Sequence, residues 1–249
     1  MTEPQRNNPP ESTPLNIRQV PASHAWAWIV SGFQLFKAYP LMWIVLFVIY
    51  LAIAVPVSLV PLLGTVFGAL LAPIFAAGMM MGCLAIRRHQ ELEINHLFAG
   101  FKQNTGQLVA VGGLYMMALL MVSVIVVTSL DQEIVALIAS GQELTPEQAG
   151  SLLKPSTFIA LLLMLPVLMA YWFAPLLVRL HQLTAVDAMK VSFIAVWRNV
   201  LPVLAYILIF GVLTILAIIP LFLGLLVVVP LMITSTYTSY LDIFGIEQN

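Results

Sequence analysis

From Ala38 to Ile86 the chain runs without one charged side chain, and it does so again from Asn199 to Leu241. A single bilayer crossing takes roughly 20 apolar residues, at ~1.5 Å of rise each, to cover a ~30 Å hydrocarbon core. Each run is about twice that length, so each must fold back on itself as a pair of membrane helices. Two further apolar stretches lie between the runs. The pattern predicts six spans at about 41–62, 65–86, 107–130, 157–178, 200–220 and 222–241. Pro61-Leu62-Leu63-Gly64 and the segment from Pro220 to Gly224 mark the reversals, because proline ends a helix and glycine lets the backbone turn. The expected fold is all-α: a polytopic integral membrane protein with one six-span domain over residues 17–245.

Composition agrees. Of the 249 residues, 61% are hydrophobic and 8% charged, with a mean hydropathy of +1.01, whereas a soluble domain has about 25% charged residues. Residues 1–16 are polar and proline-rich, which predicts a disordered tail and not a signal peptide. Residue 2 is Thr, so no myristoylation motif opens the chain. The single cysteine, Cys83, lies in an apolar run and excludes a disulfide framework or a thiolate metal site within one chain.

The charges are sorted by side. Arg6, Arg18 and Lys37 precede the first span, Arg87, Arg88 and Lys102 lie between the second and third, and Arg179, Lys190 and Arg198 lie between the fourth and fifth. Loop 131–156 holds Asp131, Glu133, Glu143 and Glu147 with Lys154. Basic residues favour the cytoplasmic side. The expected location is therefore the bacterial cytoplasmic (inner) membrane, with both termini cytoplasmic and loop 131–156 periplasmic. That loop should hold two short helices, the second opened by Thr145-Pro146-Glu147-Gln148 as a capping box. It offers a surface for a membrane or periplasmic protein.

Three segments before odd-numbered spans look alike: Gly32-Phe33-Gln34-Leu35-Phe36-Lys37, Leu97-Phe98-Ala99-Gly100-Phe101-Lys102 and Phe193-Ile194-Ala195-Val196-Trp197-Arg198. Each sets an aromatic beside a cation, a pairing suited to the headgroup level. The second helix of each hairpin carries a proline, at Pro73, Pro166 and Pro230. Three copies of an interfacial helix followed by a membrane hairpin would explain both patterns. The first interfacial helix should follow Ser23 as its cap and present Trp26, Ile29, Phe33 and Phe36 on one stripe about 80° wide. Thr184 and Asp187 read as a capping box in which Asp187 reaches back to the backbone of Thr184 and faces Lys190.

Candidate chemistry is sparse. His89, Glu91, Glu93 and His96 are the one metal-like cluster, at a spacing that matches no defined motif. No span holds Asp, Glu, Lys, Arg or His away from its ends, which argues against an ion-coupled transporter or a proton pump. Gly64 and Gly68 form a GxxxG spacing suited to close helix packing. The run from Thr234 to Tyr240 carries seven hydroxyls and reads either as helix-to-helix bonding or as a polar vestibule formed by Thr234, Thr236, Tyr237 and Tyr240.

Val20-Pro21-Ala22 with Trp26 and Trp28, Gly32 to Phe36, Pro40-Leu41, Pro61 to Gly64 and Leu97 to Phe101 together resemble a family of uncharacterised six-helix inner-membrane proteins found mainly in beta-proteobacteria. The likeness runs from about residue 17 to 245 and implies the six-span fold, with no established activity to carry over. Ala188 to Asn199 is similar, more loosely, to the membrane region beside some glycerophosphodiester phosphodiesterases. No soluble catalytic domain accompanies it here, so that activity is not implied.

The expected function is a non-enzymatic membrane module that binds membrane lipids or partner proteins through Phe36, Lys37, Arg87, Arg88, Phe101, Lys102, Trp197 and Arg198. No cofactor and no nucleic-acid partner are expected. The alternative is a carrier or exporter of a small apolar or zwitterionic molecule, with a cavity lined by Tyr171, Tyr206 and Tyr237. A third reading is a metal-dependent enzyme using His89 and His96.

Overall fold

The computed structural model describes residues 15–60, 63–143, 145–151 and 155–246. Residues 1–14 of the expected tail, Pro61 and Leu62 of the first reversal, and Lys154 lie outside the described residues. Helices are α1 His24–Ala38, α2 Pro40–Ser58, α3 Leu63–Arg87, α4 Thr105–Ser129, α5 Gln132–Ser140, α6 Pro146–Ser151, α7 Pro155–Trp172, α8 Ala174–His181, α9 Ala185–Arg198, α10 Val200–Ile218 and α11 Leu225–Ile243. Six helical stretches among the described residues are long and apolar enough to cross a membrane: Pro40–Ser58, Gly64–Arg87, Thr105–Thr128, Leu162–His181, Val200–Ile218 and Leu225–Ile243. They coincide with the six predicted spans.

Two helices form the centre. In α3 and α11, 56% of the membrane-length window is buried, against 17% in α2 and 11% in α4. α11 packs on α1, α2, α3 and α10, while α3 packs on α2, α4 and α8. The remaining spans turn Leu, Ile, Val and Phe side chains outward, such as Leu120, Leu162 and Leu208, the surface that hydrocarbon requires.

The fourth span is broken and not continuous. Pro175 lies in the first turn of α8, where its missing N–H costs little. In mid-helix the same residue would crowd the carbonyl four positions back. The helix therefore ends at Trp172 and restarts at Ala174. A hydroxyl from α9 serves the break: Ser192 Oγ accepts from Phe173 N at 2.9 Å and donates to Met169 O at 2.8 Å. Pro56, Pro73, Pro166 and Pro230 all lie inside continuous helices.

Local expectations change in four places. α1 buries Ala25, Trp28, Ile29, Gly32 and Phe36, while Trp26 (62% exposed) and Phe33 (47%) face outward. The expected stripe is thus split, because α11 lies against the Trp28 side. Ser23 stands at the N-cap with no side-chain capping bond. In place of a helix before α4 there are two 3-10 turns, Ile94–His96 and Ala99–Phe101. This stretch lies too close to α3 for a layer of side chains between them: a Cβ on Gly100 would meet Ile74 O at 2.1 Å. Asp187 reaches the hydroxyl of Thr184 (2.7 Å) and not its backbone, and no ion pair with Lys190 forms among the described residues. The Thr145–Gln148 box does close, with Thr145 N on Gln148 Oε1 at 3.0 Å and Gln148 N on Thr145 Oγ1 at 3.3 Å.

The α1–α11 contact is close enough to need glycine. A Cβ on Gly32 would stand 2.6 Å from Ser235 Cα, whereas one on Gly68 would meet nothing within 4 Å. Of the GxxxG pair, then, Gly68 faces open space. We expect Gly32→Ala to destabilise the purified protein by about 1–3 kcal/mol through overpacking, and Gly68→Ala to be neutral or slightly stabilising. Thermal unfolding in detergent measures both; equal melting temperatures for the two variants would contradict the packing described.

Candidate functional site

The polar chemistry gathers at one end of the bundle, where α2, α4 and α10 begin and α3, α8 and α11 end, with the first turns of α1 lying against the last turns of α11. Its framework is a strap of chain before α1. Arg18 N donates to Ile243 O at 2.7 Å. Asn199, 1% exposed between α9 and α10, accepts from Val20 N at 2.9 Å and donates to Arg18 O at 2.9 Å and Ala195 O at 2.9 Å. Leu15, Ile17 and Val20 pack onto the core.

Asp242 closes α11 and gathers α1 to it. Its Oδ2 accepts from Trp28 Nε1 at 2.7 Å, and His24 Nδ1 lies 2.7 Å from the same oxygen. Hydrogen bonds to a charged group are each worth about 1.5–3 kcal/mol. Where the first two hairpins leave through Arg87 and Arg179, the third leaves through Asp242, and that departure is the sequence signal for this contact. Asn199 and Ser192 gave no such signal, since the strap that Asn199 holds and the α7 carbonyl that Ser192 serves lie far from them in sequence.

The hydroxyl run is packed. Thr234 and Ser235 are 0% exposed, and Tyr237 and Tyr240 are each 1% exposed. Tyr206 of α10 bonds Ser235 Oγ at 2.8 Å, Thr236 Oγ1 at 3.2 Å and Met232 O at 3.1 Å. Thr238 donates to Trp28 O at 2.8 Å, tying α11 to α1. Tyr240 OH lies 2.5 Å from His181 Nε2 of α8. The Arg87 guanidinium lies within hydrogen-bonding reach of the Tyr237 hydroxyl. Ser58 and Ser123 bond carbonyls of their own helices, Val55 and Leu120, and not of neighbours.

Apart from Arg18 of the strap, the described basic side chains divide into two sets. Arg87 is half-buried at Tyr237, and Arg179, also half-buried, donates to Gln103 Oε1 at 2.8 Å. Lys37, Arg88, Lys102, Lys190 and Arg198 are exposed. Trp197 (65% exposed) stacks on Phe193 with centroids 5.9 Å apart, and Phe101 (42%) packs edge-on to Phe75 at 5.5 Å. Phe36, in contrast, is 6% exposed, so its ring is core and the outward aromatic of that segment is Phe33. Phe101 and Lys102 are thus both exposed, as are Trp197 and Arg198, whereas in the first segment it is Phe33, four residues before Lys37, that stands exposed with the cation.

Among the described residues, clefts between helices include two of note. One, of ≈ 260 Å³, lies between α2 and α3 and is lined by Tyr50, Ile53, Gly68 and Phe75 among others. The other, of ≈ 410 Å³, lies between α4, α7 and α9, lined by Leu114, Ala170, Val186, Met189, Lys190 and Phe193. Tyr171 packs on Tyr115 with ring centroids 4.5 Å apart, while Tyr206 and Tyr237 are buried in the core. His96 Nδ1 accepts from Glu93 N at 3.0 Å, and among the described residues no three His, Cys, Asp or Glu side chains come together as a metal site.

The chain is 32% identical, over 194 residues, to a protein of Burkholderia thailandensis described as a probable inner membrane protein; the match covers 74% of this chain and 71% of that one. No family model matches the chain. No solved structure matches it.

Asn199 supplies a direct test of the framework. Asn199→Ala removes three bonds at once and should cost about 1–3 kcal/mol. It should also free the strap, so that trypsin cuts after Arg18 faster than in the parent protein. Limited proteolysis of the purified protein, followed by mass spectrometry, measures this; an unchanged rate at Arg18 would contradict the clamp.

Proposed function

This chain belongs to a family of multi-pass inner-membrane proteins, and we propose that within that membrane it acts as a non-enzymatic module that binds anionic lipid at its basic end. One observation carries the reading: Lys37, Arg88, Lys102 and Arg198 are exposed together at that end, beside the outward rings of Phe101 and Trp197. Basic residues beside a membrane surface attract anionic headgroups at about 1 kcal/mol each. Amphipathic rings hold the same level. The orientation that fits is both termini in the cytoplasm, where anionic headgroups would meet the cations.

A partner protein fits the opposite end. There α5 turns Ile138 outward (52% exposed), and Glu133 Oε1 accepts from Gln148 Nε2 at 3.3 Å, bracing α5 against α6. This pair of short helices is the proposed surface for a membrane or periplasmic partner. The carrier reading draws no support from the hydroxyl run, because Tyr206 and Tyr237 are packed into the core and bonded within it.

The test neutralises the rim. In nanodiscs mixing phosphatidylglycerol with phosphatidylcholine, the Lys37→Gln, Lys102→Gln, Arg198→Gln triple variant should retain phosphatidylglycerol on the order of a hundredfold less tightly, at about 1 kcal/mol per cation. Native mass spectrometry of the released complexes reads the retained lipid. Equal phosphatidylglycerol retention by parent and variant would remove the reading.

A further inference from the structure

We propose that the lateral groove between α4, α7 and α9 is a site for one anionic phospholipid, with its acyl chain against Leu114, Ala170, Met189 and Phe193 and its phosphate held by Lys190. This deepens the lipid-binding reading and rests on it. The groove has a built shape. α9 is pinned to α4 through Ala185 N on Gln107 Oε1 at 2.8 Å, and to α7 through Ser192 on Met169 O at 2.8 Å. Between these two pins the three helices hold a groove of ≈ 410 Å³, and Ala170 leaves space where a larger α7 side chain would fill it. An apolar groove open to the bilayer must be filled by hydrocarbon, since empty space forfeits the contacts on its walls.

Charge selects the lipid. Lys190 is the one charged residue lining the groove, and among the described residues no carboxylate pairs with it. The carboxylate nearest in sequence, Asp187, is held by the Thr184 hydroxyl at 2.7 Å. The lysine stem can lie along the apolar wall while its ammonium reaches headgroup level. The α2–α3 cleft has no charged lining residue, so it would take an acyl chain without regard to headgroup.

The experiment uses the full chain in nanodiscs with a phosphatidylglycerol carrying a diazirine in its acyl chain. Crosslinked peptides are mapped by mass spectrometry. Crosslinks should fall on the Leu114 and Met189–Phe193 peptides and be competed by unlabelled phosphatidylglycerol, not by phosphatidylcholine. Lys190→Gln should lower them about fivefold, the worth of one cation at an anionic surface, and Lys190→Arg should restore them. Crosslinks in the α2–α3 cleft should not change. Ala170→Phe, which fills the groove and leaves its charge alone, should remove the crosslinks as well. Equal crosslinking in Lys190→Gln, or equal competition by phosphatidylcholine, would overturn the site. The rim triple variant separates the two readings: if it sheds phosphatidylglycerol while Lys190→Gln does not alter the groove crosslinks, the rim stands and the groove fails. If neither variant alters lipid retention, both fail.

Discussion

Inside hydrocarbon a hydroxyl or an amide has no water to turn to, so every buried polar group must find its partner within the protein. α11 brings this requirement into the centre of the bundle, because its last three turns carry Thr234 to Tyr240 and then Asp242. Its neighbours take the positions that meet it. α10 supplies Tyr206 to Ser235 and Thr236, α8 supplies His181 to Tyr240, and α1 supplies Trp28 through both its carbonyl and its indole. α1 is consequently part of the core on one face, with Gly32 admitting the α11 backbone.

The same requirement divides the cations. Arg87 and Arg179 are engaged by Tyr237 and Gln103 at the end of the bundle. Lys37, Arg88, Lys102, Lys190 and Arg198 point away from the packed interior. The first set belongs to the framework that holds the helix ends together. The second set is what the protein offers to its surroundings, and the functional proposals rest on it alone. The six-span architecture, with lipid-facing α2 and α4 around a buried α3–α11 pair, keeps that set at one end.

How much of this could be read from the chain follows from the range of each interaction. The spans were legible because a charge-free run such as Ala38 to Ile86 admits few other structures. Local caps were legible at Thr145–Gln148, where partners sit three residues apart. The buried face of α1 was not, because Trp26 and Trp28 are equally aromatic and the choice between them is made by Asp242, more than two hundred residues on. The break at Phe173 is only half a local matter: Pro175 cannot sit in mid-helix without strain, while Ser192, which serves the broken rung, sits in another helix. Of the expected rim, Phe36 and Arg87 turned inward for the same reason, since packing partners and not sequence neighbours decide which side of a helix is buried. The aromatic–basic likeness of three segments did not foretell one shape, because close approach to α3 forces the second into 3-10 turns.

The central claim is that the hydroxyl run of α11 is a satisfied, closed structural hub and not a vestibule. Cysteine accessibility tests it directly, because the chain has one native cysteine, Cys83, which is itself buried. In a Cys83→Ala background, Thr234→Cys and Thr238→Cys should resist a membrane-permeant maleimide in the native protein, while Lys190→Cys and Arg88→Cys label fully. Rapid labelling at 234 and 238, at the rate seen for the exposed positions, would show an open path to α11 and contradict the account.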